Sequence, residues 1–334
     1  MSLCFCDFLA VLPDFNTPGG RLAVMFLVLA TGVFSGYLAS SRFGLSQQFA
    51  RTIMVVVLVC FHWIIAFLLI WRMQLHISLI WLPLAGVILM LSATAISVAV
   101  FSFVKVDHRS RLTLVLAGSL SNIGYTGAAF VCYGLFGTAG LAFATVSLLF
   151  WTPAVYLVFF PLLKLHELRV NGQSGRFGLR WLLDPRCFVV PAAITAFVLN
   201  LAAVKPPAFI SRFYIVDILV YIASGLSFFA IGLRVRLSRL RSYKNLYLPL
   251  LAIKFVATPL AAFLLLYLLS ITGRDLTALS RNVIVVLSLA PSGVLMVTLS
   301  NVFDLDGPLA SALWVVTTLV FILVVIPVLF LVFT

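Results

Sequence analysis

The sequence predicts an all-α polytopic membrane protein of ten transmembrane helices, arranged as two inverted five-helix repeats in which helices 4 and 9 are broken. Three observations carry this reading. The composition is apolar, the basic residues fall between long apolar runs, and two of those runs carry matching polar interruptions. The 334 residues are 63% hydrophobic and 9% charged, with a mean hydropathy of +1.22. A soluble domain carries about 25% charged residues. This chain has too few charges to cover a surface in water, so the soluble classes are excluded first.

A bilayer core about 30 Å thick takes about 20 apolar residues per helix. Dividing the chain at its charge and turn clusters gives spans at 22–40, 52–71, 77–104, 112–133, 139–163, 187–204, 213–233, 245–271, 282–303 and 308–332. Span 3 is long enough to tilt, and span 6 is short. In lipid each backbone amide needs a partner inside its own segment, so the spans are helices. Residues 1–21 read as an external N-terminal arm. They lack a basic start and hold Asp7, Pro13, Asp14 and Pro18, which is not the pattern of a cleavable signal. Residues 22–164 form the first repeat, 165–186 a short cytoplasmic loop, and 187–334 the second repeat.

The net charge of +13 does not point to nucleic acid, because the basic residues punctuate apolar runs and share no soluble face. With ten spans, one side holds Arg42, Arg51, Lys105, Arg109, Arg111, Lys164, Arg169, Arg176, Arg180, Arg186, Arg234, Arg236, Arg239, Arg241 and Lys244. The other holds only Arg21, Arg72, Lys205, Arg212, Arg274 and Arg281. The richer side is cytoplasmic by the positive-inside rule, which leaves both termini outside. The expected location is the plasma membrane, or the inner membrane if the chain is bacterial. Lys254 belongs to neither set and lies deep in span 8.

Several function classes fall away. The connections are too short for a nucleotide-binding domain, and no P-loop or dinucleotide fingerprint occurs. The five cysteines and four histidines have no metal-ligand spacing, so no metal and no cofactor is expected. No Ser/His or paired-carboxylate constellation supports an enzyme. The acidic residues lie at span ends or in loops, Asp217 coming nearest to a span interior. The buried carboxylates of a proton relay are missing from this pattern.

The ends of the two halves correspond. Residues 112–163 and 282–330 each open after an arginine, Arg111 or Arg281, and run about two apolar turns. A polar, small-residue break follows, Ser119–Gly127 in one and Ala290–Gly293 in the other. A short helical stretch then leads through a turn, 134–140 or 304–308, into a final span. Leu141-Ala142 aligns with Leu309-Ala310. Two successive halves of five spans must be oppositely oriented, and interrupted helices at matching positions point to a transporter's binding site. Gly32, Ser35 and Gly36 in span 1 read instead as close helix packing.

Certain stretches carry a family resemblance: Ser121 to Gly127 (SNIGYTG) in span 4, Ala290-Pro291-Ser292-Gly293 in span 9, Ala230-Ile231-Gly232-Leu233 ending span 7, and Lys254 with Pro259 in span 8. In order and spacing they resemble the auxin efflux carrier family, part of a wider inverted-repeat superfamily that includes sodium symporters of bile-acid type. The resemblance covers most of the chain from about residue 80. It implies ten helices with external termini, spans 4 and 9 crossing at their breaks, a scaffold of spans 1, 2, 6 and 7, and a moving transport domain of spans 3–5 and 8–10. The chain departs from the family in lacking a proline in span 2 and in the span 4 break. Its short central loop is like that of bacterial members.

Lys254 lies about ten residues into span 8, roughly 15 Å along the helix. A charge so deep is costly and faces a cavity or a partner. It suits a counter-charge for a carboxylate, or a charge standing in place of a coupling cation. Asn122 offers both donor and acceptor. The substrate-binding candidates are Asn122, Gly124, Tyr125, Thr126, Lys254, Pro291, Ser292 and Gly293. His62 reads as a packing residue, and Trp63, Trp71, Trp81 and Trp181 as interface anchors. The expected function is secondary active transport of a small organic anion by alternating access; the resemblance makes that anion a carboxylate. A sodium-coupled symporter of bile-acid type and a ligand sensor without transport are the alternatives. Coupling to a proton or to sodium, and assembly as a homodimer, stay open.

Overall fold

The computed structural model describes residues 17–44, 47–74, 77–149, 151, 159, 163, 189–233, 242–274 and 276–333. The arm before residue 17, the loop at 165–186 and Trp181 lie outside the described residues, as do 150, 152–158 and 160–162 of span 5.

Helix α1 (Pro18–Phe43) starts where the Thr17 hydroxyl accepts from the Gly20 amide at 3.1 Å, with Pro18 in the first turn. It stops at Gly44, whose φ of 62° ends the helix in the left-handed region. The expected arm is therefore helical from Pro18 on. α1 packs along α7 (Ile215–Gly232). A Cβ on Gly36 would overlap the Phe229 carbonyl, one on Gly232 the Val33 carbonyl, and one on Gly32 would come within 2.8 Å of Phe228 Cβ. These glycines let two backbones meet, as the sequence implied for span 1. Gly36→Val should therefore push α1 off α7 at a cost of about 3 kcal/mol. Thermal unfolding in detergent, read by circular dichroism, should show it. Gly19→Ala, which meets nothing within 4 Å, should leave the transition unmoved.

α2 comprises Gln47–Val56, a π-helical Val57–His62 and Trp63–Arg72. It runs beside α6 (Val189–Leu201). At its C-terminus the Asn200 Nδ2 lies 2.8, 3.0 and 2.8 Å from the carbonyls of Ile70, Trp71 and Met73. The Trp71 indole donates to Val204 O at 2.8 Å. Orphan carbonyls at this helix end thus find partners. Trp71 and Trp81 sit at helix ends, where Arg274 lies 4.8 Å over the Trp81 ring. Trp63 does not: it stands within α2, nine residues before its end.

α3 (Trp81–Ser102) follows one 3₁₀ turn, Ile77–Ile80, so the long span 3 is a helix with a tight lead-in. α4 (His108–Ser119) begins at Asp107, whose carboxylate accepts from the Arg109 and Ser110 amides at 3.1 and 3.2 Å. The Ser110 side chain and amide, with the Arg109 amide, hold the Asp107 carboxyl below its usual range. A depressed carboxyl stabilises the fold above its unfolded value and loses that contribution as pH falls through the folded one. Solvent screening keeps the term small at this exposed site. Asp107→Asn should therefore remove a small acid-sensitive part of the stability, read as a flatter dependence of unfolding temperature on pH below about 4.

α5 (Ala128–Leu148) is not one straight rod. Gly137 adopts φ 67°, ψ −156° inside it. The Tyr125 hydroxyl lies 3.1 Å from Thr145 Oγ1, twenty residues on, so the chain doubles back. A Cβ on Gly140 would come within 2.6 Å of the Cys132 carbonyl, which keeps the two arms close. This is the expected turn between spans 4 and 5.

α8 (Lys244–Ile271) holds a π-helical segment, Ile253–Ala257, containing Lys254. Pro259 has no N–H to offer the preceding turn. The Thr258 backbone N–H and hydroxyl both donate to Ile253 O, the hydroxyl at 2.8 Å. α9 (Ala278–Ser288) and α10 (Val294–Val302) flank the second break, and α11 (Gly307–Phe333) ends the described chain. Asp306 caps α11 by accepting from Leu309 N at 3.0 Å. Asp304 sits at φ 50° and pairs with Arg109 at 3.1 Å.

Among the described residues no strand occurs, apart from one isolated bridge. Among the described residues six helices are long and apolar enough to cross a membrane. Their outer faces carry large apolar side chains, with Phe34 63% and Leu323 69% exposed. Such a surface would aggregate in water and belongs against lipid tails. The fold is that of an all-α membrane protein.

Candidate functional site

The two breaks meet. α4 ends at Ser119 and α9 at Ser288, and the extended residues that follow them pair antiparallel at Ser121 and Ser292. Asn122 N donates to Pro291 O and Gly293 N to Leu120 O, both at 2.7 Å. Backbone groups freed where each helix stops thus find partners in the other break. Neither strand-like piece can exist alone, because its partner is about 170 residues away in the chain.

Each break is held by a hydroxyl from the span that follows it. Tyr125 reaches Thr145, and the Ser292 amide donates to Thr317 Oγ1 at 3.2 Å. Ser292 Oγ donates to Ala117 O at 2.7 Å. Asn122 and Thr126 brace each other: Asn122 Nδ2 donates to Thr126 O, and Thr126 Oγ1 to Asn122 Oδ1, each at 3.1 Å. Gly127 closes this loop, since a Cβ there would overlap the Asn122 carbonyl. Gly124 meets nothing within 4 Å at its Cβ position.

Lys254 comes from the π-helical segment of α8 and is fully buried. Its ammonium donates to Ser121 Oγ at 2.7 Å. The eight residues singled out from the sequence therefore gather at one place, the junction of the two breaks. Their roles in holding it differ. Pro291 gives its carbonyl to Asn122, and Tyr125 gives its carbonyl to Ser224 Oγ at 3.0 Å. Ser292 and Tyr125 are struts, buried at 0% and 4% exposure. Asn122 keeps one N–H and one lone-pair site beyond its bonds to Thr126.

The two half-helix N-termini are also unequal. The Ala128 and Ala129 amides are taken by the carbonyls of Asn122 and Ile123, at 3.0 and 3.2 Å. At the start of α10 the Val294 and Leu295 amides make no hydrogen bond to a described residue. A partial positive charge is thus available at α10 rather than at α5.

Beside the junction lies a cavity of about 40 Å³ between α3, α9, the first break and the end of α5, with Ser119, Ser121, Ser147, Thr258 and Ser288 in its lining. Four of these hydroxyls give their protons to carbonyls of their own helices, so oxygen lone pairs face the space. The cavity can hold a water or a bare ion, and not an organic acid. Ser119 and Ser121 already belonged to the first break as read from the sequence, whereas sequence reasoning missed Thr145, Ser147, Thr258, Ser288 and Thr317. Their only local signal is a hydroxyl inside an apolar span, which commonly just bonds back to its own helix.

The fold and this junction define a class: a helical membrane protein with two broken helices cross-linked through their unwound backbones around a buried lysine. No protein-family model and no curated protein matches the chain.

Proposed function

We propose that this protein is a secondary active transporter of a small organic anion, a carboxylate, which binds by alternating access at the junction of the two breaks. The observation that carries this is the backbone pairing at Ser121 and Ser292 with the Lys254 ammonium seated on it. Unwound backbone inside a membrane bundle is tolerated where it lines a binding cavity. A positive charge there calls for an anionic partner. Lys254, the spare hydrogen-bonding capacity of Asn122, and the α10 N-terminus supply the attraction. Gly124 and Gly293 let a ligand approach the backbone, and Tyr125, Thr126, Pro291 and Ser292 hold the loops in shape.

The described packing supports two bodies. α1 lies along α7 and α2 along α6, as a scaffold would; α4 lies between α3 and α11, and α8 against α3, as a transport domain would. The hydroxyl struts sit at corresponding places after each break, which favours the inverted repeat and, with it, ten helices and membership of the auxin efflux carrier family. With a cavity of only about 40 Å³, the junction is closed in this conformation, and the two bodies must part to admit an acid.

The test is counterflow in proteoliposomes with labelled malonate, malate and indole-acetate, on the wild type and Lys254→Ala. Saturable exchange of one acid, lost in the variant, supports the reading. Correctly inserted, folded protein that exchanges none of them would sink the carboxylate assignment. A second reading, sodium-coupled symport, draws on the lone pairs facing the small cavity. The Lys254 ammonium on the same wall at Ser121 opposes a second cation there. Exchange that needs an imposed sodium gradient would reverse that preference.

A further inference from the structure

We propose that the cleft between the end of α2, the α5 turn and the start of α9 is an anion-accepting vestibule for a small carboxylate, with Arg72 as its charged contact. This rests on the transporter reading and adds a second site to it, outside the junction. The cleft measures about 430 Å³, within the range of small-molecule sites and about ten times the volume at the junction.

Its charge has one sign. Among the described residues lining it, Arg72 is the only ionisable side chain, joined by the polar Gln74, Thr138 and Thr277. One Arg72 N–H donates to Ser211 Oγ at 2.9 Å, which steadies the guanidinium. Further N–H groups remain in the planar fork that suits a carboxylate. Arg72, Thr138 and Thr277 are exposed and form the mouth, whereas Leu69 and Ala142 are buried and form the floor.

The position of the cleft links it to the junction. His62 lies two helical turns before Leu69 on the same face of α2, about 10 Å deeper. Thr145 lies one turn beyond Ala142 on α5. These two deeper residues both meet Tyr125: its ring is 4.8 Å from that of His62, and its hydroxyl bonds Thr145. The Tyr125–His62 contact therefore separates the floor of the cleft from the break that carries Asn122. The walls come from both bodies, α2 on one side and α5 with α9 on the other, so relative motion would open the floor. An anion held at Arg72 would wait at the outer end of that path, on the face poor in basic residues.

The experiment uses Thr138→Cys in a chain whose five cysteines are replaced by serine, reconstituted in phosphatidylcholine vesicles. Labelling by a membrane-impermeant maleimide is timed with and without malonate, malate or indole-acetate, and counterflow is run in parallel. An acid at ten times its Kd should slow labelling about tenfold, because only about one site in ten is then empty. The protection should persist with Lys254→Ala, vanish with Arg72→Gln and return in part with Arg72→Lys. Equal labelling rates without acid show that the variants are folded. Protein that exchanges an acid but gains no protection from it would overturn the vestibule and leave the transporter. Protection lost with Lys254→Ala would place the bound acid at the junction, and protection kept with Arg72→Gln would remove Arg72. Protection only on adding phosphatidylglycerol would make the cleft a lipid headgroup seat and overturn the proposal. Protein that neither exchanges nor is protected would take both readings down together.

Discussion

Lys254→Met should abolish exchange while leaving the protein as stable as the wild type, or slightly more so. The ammonium is fully buried and its one described polar partner is Ser121 Oγ at 2.7 Å. Methionine matches the lysine stem in length and removes the charge. Burying a charge costs free energy that a neutral hydroxyl offsets only in part, and apolar replacements of buried charges are often neutral or stabilising. An arriving carboxylate would lose its counter-charge, at about 3 kcal/mol, or roughly a hundredfold in apparent affinity. Counterflow and thermal unfolding on the same preparation check both halves. Lost exchange with lowered stability would instead make Lys254 a structural prop. Retained exchange would separate Lys254 from substrate altogether.

Gly127→Ala should prevent the first break from forming, at a cost of about 4 kcal/mol or more, in the range reserved for specific steric failures. The added Cβ would overlap the Asn122 carbonyl. That carbonyl also accepts from Ala128 N at 3.0 Å, so it cannot retreat without freeing an amide inside the bundle. The expected result is a sharp fall in folded protein recovered in detergent, judged by size-exclusion profile and unfolding temperature. Gly124→Ala is the matched control. Its Cβ would meet nothing within 4 Å, so the stability should stay within about 0.5 kcal/mol of wild type. A drop in exchange alone would then mark Gly124 as a point of substrate approach. Equal effects of the two substitutions would refute the geometry given for the loop.

Much of this was legible in the residues. Apolar runs, caps and turn glycines act within a few positions of themselves, so α1, α3, α7 and α8 fall close to where hydropathy places them. The two breaks were visible as small polar residues inside apolar runs, and Lys254 as a charge with no loop near it. Boundaries moved where a tight turn or a cap intervened, as at Ile77–Ile80 and at Asp306, the N-cap of α11. Asp217, the acidic residue nearest a span interior, accepts from the Tyr133 hydroxyl at 2.6 Å and so ties α7 to the first arm of α5. No spacing in the chain announces that contact. His62, read as a packing residue, packs edge-on against Tyr125 of the break.

The sequence by itself determined the solvent and the units. A chain with so few charges must face lipid, and in lipid a segment must satisfy its own amides as helix, broken only where small polar residues interrupt it. Tertiary structure alone decided what the interruptions do. The Asn122 and Gly293 amides take their partners from the other half of the chain, at Pro291 for Asn122 and at Leu120 for Gly293. Local pattern cannot specify such a pair, because the bond depends on two distant segments being packed to within 3 Å. The seat of the Lys254 ammonium on Ser121 follows from that same packing.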